Sequence, residues 1–307
     1  MKIMIKLLFV FCFLFFQFVL SQDDTLTHQA QDPYLEEFVD TNLITHTFES
    51  TRVINGHSIE TLRKGVLEFR IEHRFGDVVG AEGGIGTLYG LDNSSDIRIA
   101  FEYGINNRLM VGAGRSKGTG NPFRSLLDGF VKYKLVNQSK VGSPISITAI
   151  GSTSFSYMKK STDLSQLSSF PMWQHRFAYV SQISIAKKLG DRFSVSLTPT
   201  LVHRNFVSIT DVNTFFSLGG GASIPIAKKW AVLLEYYHNF SNNGFRKEFS
   251  NSLGIALEWV TFGHVFTINL TNSKGFGETQ FIPYTFEKWN KGQFRLGFCI
   301  SRKYEKE

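Results

Sequence analysis

Apolar and polar residues alternate along most of this chain in runs of about ten, each run closed by a turn signal. The segment 251–259 shows the pattern: Leu253, Ile255, Leu257 and Trp259 fall on one face, and Ser252, Gly254, Ala256 and Glu258 on the other. A period of two sends successive side chains to opposite faces of a β-strand. The pattern predicts strands near 65–75, 95–105, 108–115, 128–136, 144–157, 175–187, 192–203, 214–227, 230–238, 251–260, 264–271 and 293–301. Roughly twelve strands result, and bacterial single-chain barrels use even numbers. The links after the even strands are predicted to be short, as at Asn106-Asn107, Lys188 to Asp191, Lys228-Lys229 and Thr261 to Gly263, with Asn137 to Ser143 a little longer. Those after the odd strands, such as Gly76 to Ser94, Lys159 to Gln174 and Asn272 to Gly292, are long. Strict short–long alternation fits an outer-membrane barrel with short periplasmic turns and longer outer loops.

The first residues change where such a barrel belongs. Lys2 and Lys6 precede an apolar run from Leu7 to Leu20, broken only by Gln17, and Val19-Leu20-Ser21 offers a cleavage site before Gln22. The run falls short of the ~20 residues that span a bilayer as a helix, so 1–21 reads as a secretory signal peptide. Residues 22–64 form a different region, a periplasmic arm: Gln22 to Asp40 is polar, acidic and without a period. Further on, Thr47 to Ile54 runs into Asn55-Gly56, a strong hairpin signal between β-prone residues. This stretch reads either as a small hairpin or plug or as an ordinary loop. The barrel occupies 65–301 and a short tail 302–307.

Parity assigns the two walls. Facing out are Leu67, Phe69 and Ile71; Ile97, Ile99, Phe101, Tyr103 and Ile105; Phe177, Tyr179, Ile183 and Ile185; Trp230, Val232, Leu234 and Tyr236; and Phe294, Leu296, Phe298 and Ile300. Facing in are Glu68, Arg70, Glu72, Arg74, Asp96, Arg98, Glu102, Lys132, Lys134, Arg176, Glu235, Glu258 and Arg295. An Arg or Lys facing lipid at mid-bilayer costs roughly 2–4 kcal/mol, which puts these charges in the lumen. The lining is nearly balanced in sign. A selective pore carries one sign at its constriction, so a mixed lining fits either an ion-paired, filled interior or a weakly selective passage.

Composition narrows the chemistry. The chain carries 30 Phe, in keeping with a lipid-facing wall and aromatic girdles. Two of its 33 basic residues leave with the signal, so the net charge falls from +7 to +5, with the remaining cations scattered. That is no nucleic-acid footprint, and the partners expected are outer-membrane lipids. Of the two cysteines, Cys12 leaves with the signal and Cys299 stays alone, so no internal disulfide forms. His73, His175, His203, His238 and His264 share the outward parity near strand ends, where polar-tipped rings anchor at the headgroups. No histidine pair has metal-ligand spacing. His57-Ser58 is the one candidate nucleophile and base, but neighbours in an extended segment point apart. The glycines from Gly112 to Gly120 lack the Lys-Ser/Thr ending of a phosphate loop, and Gly219-Gly220-Gly221 reads as a place of close packing or curvature. No catalytic residue, metal or cofactor is expected.

The stretch Thr47-Phe48-Glu49-Ser50-Thr51-Arg52-Val53-Ile54-Asn55-Gly56-His57-Ser58, followed by Gly65-Val66-Leu67-Glu68-Phe69-Arg70-Ile71-Glu72-His73-Arg74-Phe75-Gly76, resembles an uncharacterised β-barrel family common in Bacteroidetes, a domain of unknown function. Leu88-Tyr89-Gly90-Leu91-Asp92 and Ile97-Arg98-Ile99-Ala100-Phe101-Glu102-Tyr103-Gly104 extend the likeness, which runs from about Phe48 to Ile300. The resemblance implies a secreted barrel and no established activity. The expectation is therefore an all-β, antiparallel, up-and-down outer-membrane barrel, acting as a weakly selective or plugged passage for small solutes. The alternatives are a non-conducting structural or binding barrel, a soluble periplasmic β-sandwich and, least favoured, a barrel-embedded lipid hydrolase.

Overall fold

The computed structural model describes residues 43–44, 46–93, 96–118, 122–190, 193–240 and 245–305. The expected signal peptide and the first part of the arm lie outside them. The twelve strands are β1 (Leu67–Asp77), β2 (Asp96–Gly104), β3 (Leu109–Lys117), β4 (Ser125–Val136), β5 (Ser146–Ser156), β6 (Phe177–Leu189), β7 (Phe193–Arg204), β8 (Thr214–Ala227), β9 (Trp230–Phe240), β10 (Ser252–Thr261), β11 (His264–Thr271) and β12 (Arg295–Tyr304). Each pairs antiparallel with its neighbours in sequence, and β1 closes on β12 from Leu67 opposite Tyr304 to Asp77 opposite Arg295. Closure leaves no sheet edge, the requirement for strands in lipid. No described helix is long and apolar enough to cross a membrane.

Burial alternates as the two-residue period dictates. On β2, Asp96, Arg98, Ala100 and Glu102 are buried, while Ile99, Phe101 and Tyr103 are exposed. Aromatic rings crowd both rims: Trp230 stacks on Trp259 at the short-turn end, and Phe155, Trp173 and Phe177 cluster at the other. Tight turns use the expected chemistry. Asn106 Oδ1 accepts from the Arg108 and Leu109 N–H groups, both at 2.8 Å, and Gly263 takes φ +75° in the two-residue turn after β10.

Three boundaries differ from the sequence reading. The β4–β5 link, 137–145, is longer than the β3–β4 link, 118–124, so the length alternation is not strict. That longer turn has a partner of its own: Leu43 bridges Ser139, and Ile44 N–H donates to the Gln138 carbonyl at 2.9 Å. β6 starts at Phe177, because Trp173–Arg176 winds into a 3₁₀ turn that takes His175 and Arg176 off the strand. The barrel wall also continues to Tyr304, past the boundary read at 301.

The lumen is not lined by polar and small residues alone. Leu233, Met110, Phe130, Val180, Val202, Phe215 and Tyr237 also face inward and are buried. They are covered by two pieces of chain that are not strands. From the short-turn end, Phe48, Val53, Ile54 and Ile59 pack on Ala186, Ala231, Leu233 and Ala256, and Leu62 packs with Val66, Met110 and Phe130. From the long-loop end, Phe281 and Ile282 of the β11–β12 loop pack on Val180, Val202, Phe215 and Tyr237. Glycines in the wall and in the hairpin make room for the inward Tyr237 ring. A Cβ on Gly219 would lie 2.4 Å from the Tyr237 ring, and one on Gly56 2.2 Å from the Tyr237 hydroxyl. Gly219→Val is therefore expected to destabilise the barrel by about 1–3 kcal/mol through overpacking, read as a lower midpoint for loss of the heat-modifiable band. Gly151→Ala, with open space around its Cβ, should leave that midpoint unchanged.

Candidate functional site

The candidate site is the middle of the lumen, where wall charges meet the two inserted segments. The first is a hairpin: Arg52 bridges His57, the Val53 N–H donates to the Gly56 carbonyl at 2.9 Å, and the Ser58 N–H to the Thr51 carbonyl at 3.0 Å. Its tip has no strand to pair with. Glu235 of β9 supplies the acceptor instead, taking the N–H groups of Ile54, Asn55 and Gly56 at 3.1, 3.1 and 2.9 Å. On the opposite wall, Lys132 of β4 donates to the Thr51 and Glu60 carbonyls at 2.9 and 2.8 Å, and Thr148 of β5 donates to the Ile59 carbonyl at 2.8 Å. The hairpin is thus held from both sides of the ring.

Around it lies an ion-paired lattice. Arg70 donates to Glu68 Oε1 at 2.6 Å and to the Ser50 and Thr51 hydroxyls at 2.8 and 2.9 Å, with its Nε 3.6 Å from Glu102. Thr51 in turn donates its hydroxyl proton to Glu102 at 2.6 Å. Arg98 spans Glu72 of β1, at 2.5 Å, and Asp128 of β4, at 2.6 and 3.0 Å. Arg74 is turned to inserted chain instead. It donates to the Ser273 and Gly275 carbonyls, both at 2.8 Å, and to Asn55 Oδ1 at 2.7 Å, with its guanidinium 4.8 Å from the Phe276 ring. Asp96 is buried opposite Arg74.

The second segment enters from the long-loop end as the β11–β12 loop, with a helical turn at Glu278–Phe281 whose four residues are all buried. Glu278 joins the two segments, accepting from Arg52 Nη1 at 3.2 Å and from the His57 N–H at 3.1 Å. His57 lies against the Phe130 ring, 4.3 Å between centroids, with Nε2 3.6 Å from Glu278. Burial, then the nearby cations Arg52 and Lys132, hold its pKa well below the ordinary histidine value of 6.5, so the ring is neutral. The Ser58 hydroxyl donates to the Ser50 carbonyl at 2.6 Å and is aimed away from any His57 dyad.

The thirteen residues read from parity therefore part company. Glu68, Arg70 and Glu102 form one ion-paired group and Glu72 and Arg98 a second, completed by Asp128, while Arg74, Lys132 and Glu235 hold inserted backbone. Lys134 pairs with Glu60 at 3.4 Å, and Arg295 with Glu287 at 3.4 Å, toward opposite ends. Glu258 is buried apart from both groups. Arg176 is a correction: it is half-buried in the 3₁₀ turn, donating to the Ser156 and Met158 carbonyls, and no barrel strand carries it. Sequence reading missed Asp128, which shares its parity with Lys132 and Lys134, and it missed Arg52 and Glu278. A third cluster also went unread at the long-loop end, where Asp211 pairs with Arg204 at 2.6 Å and with Arg246.

The sequence profile of a family described as a membrane bound beta barrel domain (DUF5777) matches residues 48–304. The chain belongs to this family. The match begins at Phe48, so the family's domain includes the inserted hairpin as well as the wall. No curated protein matches the chain. Among solved structures, the chain is similar to a KdgM porin, at 10% identity and TM-score 0.46, over 78% of this chain and 99% of that one. It is also similar to a NanC porin, at 9% identity and TM-score 0.45, over 78% of this chain and 100% of that one. An outer membrane channel from Pseudomonas putida F1 matches at 11% identity and TM-score 0.45, over 80% of this chain and 98% of that one.

Two measurements test the lattice. Arg98→Ala strands two carboxylates and is expected to cost about 3–5 kcal/mol in urea unfolding from lipid vesicles. Arg63→Ala, which breaks the exposed Arg63–Glu305 pair, should be silent in the same assay. The second test concerns pH. Because the folded pKa of His57 lies below the unfolded one, the unfolded chain takes up the proton first. Stability is then full above about pH 6.5 and is lost as the pH falls. His57→Gln should flatten this loss between pH 7 and pH 5, and an unchanged slope would exclude His57 as its source.

Proposed function

We propose that this protein is an outer-membrane barrel offering a passage for small solutes, with the resting lumen closed by the hairpin at 47–60 and the β11–β12 loop. The short turns then face the periplasm, and the hairpin enters from that side. The reading of an exported protein from a Bacteroidetes bacterium rests on the N-terminal sequence and the family resemblance. The observation that carries the proposal is how the hairpin is held. It is no part of the sheet, and its tip is attached through the Glu235 carboxylate and a few side-chain contacts. An element fixed by such bonds can leave while the hydrogen-bonded wall stays closed. Solute transfer, not catalysis, is the role this arrangement supports, since the Ser58 hydroxyl is spent on the Ser50 carbonyl and the His57 ring is buried against Phe130.

A second reading is a barrel that never conducts, favoured by the large apolar side chains of Leu233, Val202 and Met110 inside the lumen. Planar-bilayer recording separates the two. The full chain should give almost no current, and deletion of 47–60 should give steady unitary currents from a protein that keeps its heat-modifiable band. Glu235→Gln should give intermittent openings. A folded deletion variant that passes no current rejects the passage and supports the second reading. Steady currents from the full chain reject the closed resting state.

A further inference from the structure

At the short-turn end, residues 46–49 and the ends of β7 to β10 line a cavity of about 360 Å³. This is within the range of sites for small molecules. Ser194, Ser223 and Glu258 form its buried polar side, and Phe48 a buried apolar one. The exposed Lys228 and Lys229 of the β8–β9 turn stand at its rim.

Glu258 sets this cavity apart from the rest of the lumen. The other central carboxylates each hold a donor on at least one oxygen: Glu235 three N–H groups, Glu68 the Arg70 guanidinium, Glu102 the Thr51 hydroxyl, and Glu278 Arg52 and the His57 N–H. Glu258 is 1% exposed, and among the described residues its Oε1 accepts no hydrogen bond. A buried acceptor without a donor is unfavourable, and a donor brought by a ligand removes the penalty. A cationic donor suits a carboxylate best, while the two rim lysines attract an anion.

We propose that this cavity binds a small zwitterion, with a primary ammonium on Glu258 and an anionic group toward Lys228 and Lys229. Two sources carry that chemistry. One is a free amino acid or short peptide. The other is the headgroup of an ethanolamine phospholipid, since Trp230 and the fully exposed Phe262 also line the cavity where the wall meets the membrane surface. The inference stands whether or not the barrel conducts.

The test is calorimetric titration of the full chain, purified in detergent free of phospholipid, with alanyl-alanine, glycerophosphoethanolamine and N-acetyl-alanyl-alanine. Saturable binding is expected for one of the first two, and which one names the source. The acetylated dipeptide, lacking the ammonium, should not bind. Glu258→Gln should weaken binding about tenfold or more, the size of a lost charge-assisted hydrogen bond. The double variant Lys228→Gln/Lys229→Gln should also weaken it. These lysines are exposed, so that variant decides the matter if Glu258→Gln fails to fold. Absence of saturation by both zwitterions, equal binding of the acetylated dipeptide, or wild-type affinity in either folded variant overturns the proposal.

Discussion

A peptide buried without a strand or helix to pair with must find its hydrogen bonds elsewhere, and the rest of this lumen follows from that requirement. Barrel strands satisfy one another, but the hairpin at 47–60 and the loop around 273–286 lie inside the ring and outside the sheet. Their amides and carbonyls are met by wall side chains: Glu235 on three N–H groups, Lys132 on two carbonyls, Thr148 on one and Arg74 on two. An unmade buried hydrogen bond costs about 1–3 kcal/mol, so each contact guards against a penalty larger than its own net gain. The charges inside this barrel thus serve as substitutes for a missing strand as much as partners for one another.

The same reasoning explains why the lining is mixed in sign. Backbone offers both donors and acceptors, and holding it takes carboxylates for the first and ammonium or guanidinium groups for the second. Two groups of ion pairs, Arg70 with Glu68 and Glu102 and Arg98 with Glu72 and Asp128, stand on the wall beside the hairpin, and Glu278 ties the segment entering from one end to that entering from the other. A charge balance that looks ambiguous along the chain has a definite geometric meaning once the inserted backbone is in place.

The wall was legible in the sequence because its signal is local. A period of two, turn residues such as Asn106-Asn107 and the lengths of the links set all twelve strands to within a few residues. The contents of the lumen were less legible, since their contacts join residues far apart, as between Gly56 and Glu235 or Arg52 and Glu278. A trace was nevertheless present. At Val232-Leu233-Leu234 both faces of the strand are apolar, and an inward leucine calls for something apolar to cover it, here Phe48 and its neighbours. Asp128 was readable by parity alone. Glu278 was not, because nothing in a long loop marks it as turning inward. The paired Asn55-Gly56 signal located the hairpin tip and said nothing of where the hairpin would lodge.

The described part of the hairpin segment enters and leaves by the same rim. Ile44 is bonded to Gln138 in the β4–β5 turn, and Gly65 and Val66 are bonded to Gly104 at the end of β2. Tension applied to the chain before Leu43 therefore does not load the hairpin's attachments together. It reaches the Ile44–Gln138 bond first, then the Lys188 bond to the His46 carbonyl, then the Thr47 and Phe48 N–H bonds to Glu60, and the Glu235 clasp only after these. Bonds broken in series yield to a far smaller force than the same bonds broken in parallel, so the order of attachments favours peeling the segment out from its N-terminal end.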